Sequence, residues 1–125
     1  MNKELTSYFL EKRIHLLNNY SSNCGKYKDS CTMVAVGIAE ILLDENKLSS
    51  IIIFSKKKGT LKPLVLNGIT WGAHVVCLFD GYVYDPLFEE PIKLHKYSKK
   101  LFGEEVSFRV AVNETNIKEF VNRGK

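Results

Sequence analysis

Apolar positions recur at helical spacing from the start of the chain. Leu5, Phe9 and Leu16 form one series and Leu10, Ile14 and Leu17 another, which predicts an amphipathic helix over residues 3–19. The polar stretch 20-YSSNCGKYKDS-30 reads as loop. From about Cys31 to Leu43, Met33, Val34, Val36, Ile38, Ile41, Leu42 and Leu43 cover most of a helical surface. Apolar coverage that wide predicts a central, buried helix. Asp29 and Ser30, both good N-cap residues, stand immediately before it.

After 44-DENKLSS-50 the period changes to that of strands. Ile51–Phe54 reads as one strand and Leu64–Leu66 as another, the latter turning at Asn67-Gly68 into a strand over Ile69–Phe79. Asp80-Gly81 is a second hairpin signal, leading to Tyr82–Asp85. Residues 106-VSFRVAV-112 alternate and predict Val106, Phe108, Val110 and Val112 on one face. A short helix over 95–102 and a closing one over Asn116–Arg123 complete the pattern. Helices followed by an antiparallel sheet make an α+β fold, and 125 residues fit one domain, 1–125.

A two-residue turn at Asp80-Gly81 dictates which side chains share a face. Phe79 then faces Tyr82, Leu78 faces Val83, Cys77 faces Tyr84 and Val76 faces Asp85. Directly paired residues project to the same side of a sheet. His74, Val76, Leu78, Val83 and Asp85 therefore lie on one side, and Val75, Cys77, Phe79, Tyr82 and Tyr84 on the other. His74 and Asp85 become diagonal neighbours, with Cα atoms roughly 7–8 Å apart, close enough for their side chains to hydrogen-bond.

Composition narrows the function classes. The formal charge of +4 is mild, and no basic stripe alternates with exposed aromatic residues, which argues against nucleic acid as a partner. The N-terminal MNKELTSYFLEKR has no apolar signal-peptide core. The most apolar window, 33-MVAVGIAEILL-43, is too short to span a bilayer and carries Glu40. No membrane partner is expected. Three cysteines cannot close a disulfide framework, so a reducing cytoplasm is the expected location; a protein exported by a leaderless route would look the same.

The chemistry lies in the cysteines, His74 and Asp85. A carboxylate on one imidazole nitrogen fixes the tautomer of a general-base histidine and stabilises the imidazolium it becomes. Cys31, at the head of a buried helix, stands where unpaired amides and the helix dipole favour a thiolate. Cys24, in the preceding loop, is the alternative nucleophile. Asn23 and the Cys31 amide are candidate oxyanion donors, and Trp71 is a candidate substrate wall. Each residue also has a plain structural reading: Cys31 as a small core residue, His74 as a satisfied core histidine, Asp85 before Pro86 as a strand terminator, Trp71 and Tyr84 as core packing. A zinc site from Cys24, Cys31, His74 and Cys77 lacks a CxxC knuckle and needs His74 and Cys77 to converge from opposite faces. No metal or organic cofactor is expected. His15 and His95 read as surface residues.

The order of "DSCTMVAVGIAEIL" and "HVVCLFDGYVYDP" resembles the papain-like and transglutaminase-like cysteine hydrolase superfamily. There a cysteine heads a central helix, a histidine opens a strand, and an aspartate follows on the next strand, often as Asp-Pro. Cys31, His74 and Asp85-Pro86 match that order. The resemblance covers roughly residues 23–92. It implies a Cys-bearing central helix packed on an antiparallel sheet, and a Cys31-His74-Asp85 triad acting through a thioester on a peptide bond or a glutamine side chain. The implied partner is a protein or peptide substrate, in the manner of peptidases, glutamine deamidases or transglutaminases. The loop CGKYKDSC lacks the glutamine that papain-like enzymes place before the cysteine. A catalytically inactive binding or immunity-type domain retaining the fold is the alternative.

Overall fold

The computed structural model describes residues 1–19, 30–66 and 68–123, with side chains omitted for 15–19. Four helices and five strands follow one another as α1 (Lys3–Asn19), α2 (Cys31–Asp44), β1 (Ser50–Ser55), β2 (Ala73–Phe79), β3 (Tyr82–Tyr84), β4 (Ile92–Lys93), α3 (Leu94–Phe102), β5 (Phe108–Val112) and α4 (Ile117–Arg123). The strands form one sheet in the order β4-β3-β2-β1-β5, with every pairing antiparallel. The fold is α+β. Among the described residues, no helix is long and apolar enough to cross a membrane.

The sheet divides two cores. On one face, α2 buries Val34, Ala35, Ile38, Ala39, Ile41 and Leu42 with Leu5 and Phe9 of α1, Ile117 and Val121 of α4, and Ile51 and Cys77 of the sheet. These α2 positions form a single stripe, so Met33, expected among the covered residues, stays about half exposed. Ser30 caps this helix, its hydroxyl accepting from the Met33 amide at 3.4 Å; Asp29 lies outside the described residues. Gly37 allows α1 close, because a Cβ there would collide with the Tyr8 ring. In α1 only the Leu5 and Phe9 series packs inward, while Leu10 and Ile14 face out. Their series is turned about 100° away on the helix. The side chains of His15, Leu16 and Leu17 lie outside the described residues.

On the other face, α3 delivers Tyr97, Leu101 and Phe102 against Ile52, Phe54, Val76 and Val83. Two sequence expectations change here. Leu64–Leu66 is not a strand and β2 begins only at Ala73; the span between is turns, with the Leu66 amide bonded to the Pro63 carbonyl and the Leu64 amide to Leu101. A single bridge, Leu61 with Trp71, closes that connection through two 2.8 Å hydrogen bonds and carries Leu61, Leu66 and Trp71 into the core. Asn67 lies outside the described residues.

The second change is in β5. Ile51 faces Val112 but Ile52 faces Val110, so Ala111 is an extra residue in the ladder. That bulge reverses the alternation beyond it. Val112 packs with the α2 core and Val106 with the α3 core, rather than on one face. Phe108 and Val110, on the sheet's edge strand, remain exposed.

Candidate functional site

The β2–β3 turn forms as its sequence requires. Asp80 and Gly81 both adopt positive φ, 52° and 80°, as a two-residue hairpin of matching twist needs. The register is Phe79 with Tyr82, Leu78 with Val83 and Cys77 with Tyr84. The expected pair of Val76 with Asp85 does not form, because Asp85 leaves the sheet after Tyr84; His74 and Asp85 meet instead through their side chains, while Cys77 is sealed in the α2 core. No single ion could be held by His74 and Cys77 from opposite faces. Among the described residues, no three His, Cys, Asp or Glu side chains cluster to hold a metal ion.

Asp85 is 3% exposed and its carboxylate accepts three hydrogen bonds. His74 Nε2 lies 3.0 Å from Oδ2, the Tyr97 hydroxyl donates to the same Oδ2, and the Leu87 amide donates to Oδ1 at 3.0 Å. The last bond is local: Pro86 turns the chain so that the amide two residues on meets the side chain. Burial pushes the carboxyl up, but the hydrogen bond and charge of His74, the Tyr97 hydroxyl and the Leu87 amide outweigh it and hold it below its ordinary range. An ionised carboxylate only accepts, so His74 donates through Nε2–H.

The other imidazole nitrogen is left open. His74 is 2% exposed, and its Nδ1 has no hydrogen-bond partner among the described residues. The Trp71 ring stacks on the imidazole at 4.3 Å between centroids and 17° between planes, and Phe102 meets it edge-on at 6.4 Å. Trp71 is thus fully buried against the histidine rather than lining a substrate surface.

Cys31 is the first residue of α2 and is buried. The helix lies on the sheet face opposite His74, yet both residues line one cavity of about 10 Å³, with Val34, Ala35, Val75, Val76, Tyr84, Asp85 and Pro86. The ladder explains how they meet. Pairing between β2 and β3 stops at Cys77 and Tyr84, because Asp85 and Pro86 leave the sheet. Beyond that point β2 has no β3 partner, and the cavity there is lined by both the head of α2 and the His74 end of β2. From α1, Arg13 Nε donates to the Pro86 carbonyl at 2.8 Å and holds the departing chain.

Cys31 is disulfide-bonded, whereas Cys77 is a free thiol. The odd cysteine count forbids complete pairing but not one disulfide, which corrects the expectation of wholly reduced cysteines. Cys24, the alternative nucleophile, and Asn23, the oxyanion candidate, lie outside the described residues. Tyr97 was not foreseen. Its place in the apolar face of 94-LHKYSKKLF-102 was legible, but the bond from its hydroxyl to Asp85 depends on how α3 crosses the sheet. His95 is exposed on the same helix.

No family model, characterised protein or solved structure matches the chain.

Proposed function

We propose that this protein is a cysteine-dependent amide hydrolase or acyltransferase with a papain-like or transglutaminase-like core, acting through Cys31, His74 and Asp85. The observation that carries the reading is the buried imidazole gripped through Nε2 by an ionised carboxylate, its Nδ1 without a described partner, on the wall of the cavity that Cys31 also lines. A proton-accepting nitrogen and a helix-head sulfur on one void are the parts that thiol acyl transfer requires.

The chemistry begins from the thiol. The Cys31 disulfide takes two electrons and two protons from a dithiol, which becomes a disulfide in turn, and a reducing cytoplasm supplies such donors. His74 Nδ1 then takes the Cys31 proton, and the thiolate attacks the carbonyl carbon of a peptide bond or glutamine side chain in a protein substrate. The Cys31 amide, at the first turn of α2, is the oxyanion donor in this reading. Nδ1–H protonates the departing nitrogen, leaving a thioester. Water or an amine, deprotonated by the same nitrogen, releases the acyl group and restores the thiol. Asp85 holds the imidazole throughout.

The test is alkylation of the reduced protein by iodoacetamide across pH, with the labelled cysteine identified by mass spectrometry, in wild type and His74→Ala. Cys31 is expected to label fast near pH 6 and to slow when His74 is removed. A Cys31 that titrates near the ~8.5 of a free thiol and ignores His74 overturns the reading.

A second reading rests on how closed the site is. A cavity of about 10 Å³, bounded by a histidine and an aspartate that are almost wholly buried, admits no substrate without movement. A non-catalytic binding or immunity-type domain would keep the same buried cluster as packing, and the unreactive outcome above is what it predicts.

A further inference from the structure

We infer that Tyr97 is a positioning residue of the His74–Asp85 pair, one that sets how strongly the carboxylate grips the imidazole; as a role in catalysis, this rests on the reading proposed above. Two donors, the Tyr97 hydroxyl and His74 Nε2–H, meet on the same oxygen, Oδ2 of Asp85, while Oδ1 takes the Leu87 amide. A carboxylate oxygen shared between two donors gives each a smaller part of its charge. The phenol therefore anchors the carboxylate and at the same time tempers its pull on the imidazole.

The packing fixes where the Tyr97 hydroxyl lies. Its ring is fully buried, tilted against Phe54 at 5.3 Å and met edge-on by Phe88 at 6.2 Å, so the hydroxyl is delivered to Asp85 by the docking of α3. It is not among the residues lining the Cys31 cavity, and its hydroxyl meets the pair at the Asp85 carboxylate. Several titratable groups among the described residues face that carboxylate or the cavity beside it. They are His74 from β2, Tyr97 from α3, and, across the cavity, Cys31 from α2 and Tyr84 from β3. From α1, Arg13 donates to the neighbouring Pro86 carbonyl.

Tyr97→Phe removes the hydroxyl and keeps the ring. With one donor gone, Oδ2 turns more fully to His74. The Nε2–H proton, followed by NMR of the ¹⁵N-labelled reduced protein, is expected to move downfield. Alkylation of Cys31 near pH 6 is expected to rise roughly threefold to tenfold, since an imidazolium held more strongly favours its thiolate partner; the scale is part of one hydrogen bond to a charged group. Replacing Tyr97 with a fluorinated tyrosine, a stronger donor of the same shape, should move both readouts the opposite way, and it serves if the phenylalanine variant does not fold. A resonance and an alkylation profile unchanged in a folded variant, with only stability reduced, overturn the inference and leave Tyr97 as packing. The two readings fail separately. A wild-type Cys31 that is not reactive removes the thiol chemistry, whereas the Nε2–H resonance still reports whether Tyr97 governs the pair.

Discussion

Strand β2 sends two titratable side chains to opposite faces of the sheet, and the two fare differently. Cys77 faces the α2 core, surrounded by aliphatic side chains, and burial pushes its thiol up to about 12 against a weak opposing effect of the Ser49 side chain. His74 faces the α3 core, equally hidden, yet its partner Asp85 is held below the ordinary carboxyl range. Burial is common to both; it prevails at Cys77 and is outweighed at Asp85. What differs is the set of donors: three converge on the Asp85 carboxylate, whereas among the described residues the Cys77 thiol is opposed by the Ser49 side chain alone. A buried group keeps its charge only where the fold brings enough partners to offset desolvation. Cys77 is therefore buried core, and His74 is the group whose network leaves a nitrogen without a partner among the described residues.

The largest effect that would sharpen this contrast is expected at Asp85. Asp85→Ala strips His74, Tyr97 and the Leu87 amide of a shared acceptor, and should cost about 3–5 kcal/mol in urea unfolding, the scale for breaking a buried charged pair. A loss below about 1 kcal/mol, in the range of an exposed ion pair, would mean that the three bonds do not hold the carboxylate as described.

Acid gives the next effect. Because the folded carboxyl titrates below the unfolded value of ~3.9, its contribution is present above that value and is lost as pH falls through the folded one. Wild type should lose more stability on acidification below about pH 5 than Asp85→Asn, which has no such titration. Equal acid limbs in the two proteins would break the comparison. The effect is smaller than that of deletion, since a protonated carboxyl still fills its site.

Cys77 should give the smallest change at neutral pH. Cys77→Ala is expected to cost about 1 kcal/mol, the transfer value of one small apolar group. In wild type the unfolded thiol ionises near ~8.5 and the folded one only near 12. Stability should thus fall as pH rises between these values, and Cys77→Ala should flatten that slope in thermal melts. An unchanged slope would show that Cys77 is not the sealed thiol described.

Much of this site was legible before the fold. The Asp-Gly turn dictated the register of β2 and β3, and strand alternation put His74 and Cys77 on opposite faces; the expected nearness of His74 and Asp85 is met by a side-chain hydrogen bond, though Asp85 itself leaves the ladder. Local rules suffice there because strand period and turn geometry are properties of a few adjacent residues. The same rules misread 106-VSFRVAV-112, where the bulge at Ala111 answers to the partner strand, and Leu64–Leu66, where the chain is held by Leu61, Trp71 and α3.

By itself, then, the sequence determined the helix that Cys31 begins, the Ser30 cap, the hairpin and the pairing of His74 with Asp85, all consequences of spacing along one segment. Only the tertiary structure decided that Tyr97 closes on Asp85, that Trp71 stacks on His74, that Cys31 and His74 line one cavity, and that the Cys31 sulfur is in a disulfide. Those contacts join segments far apart in the chain, and their geometry is set by how α2 and α3 dock on the sheet, which no local periodicity encodes.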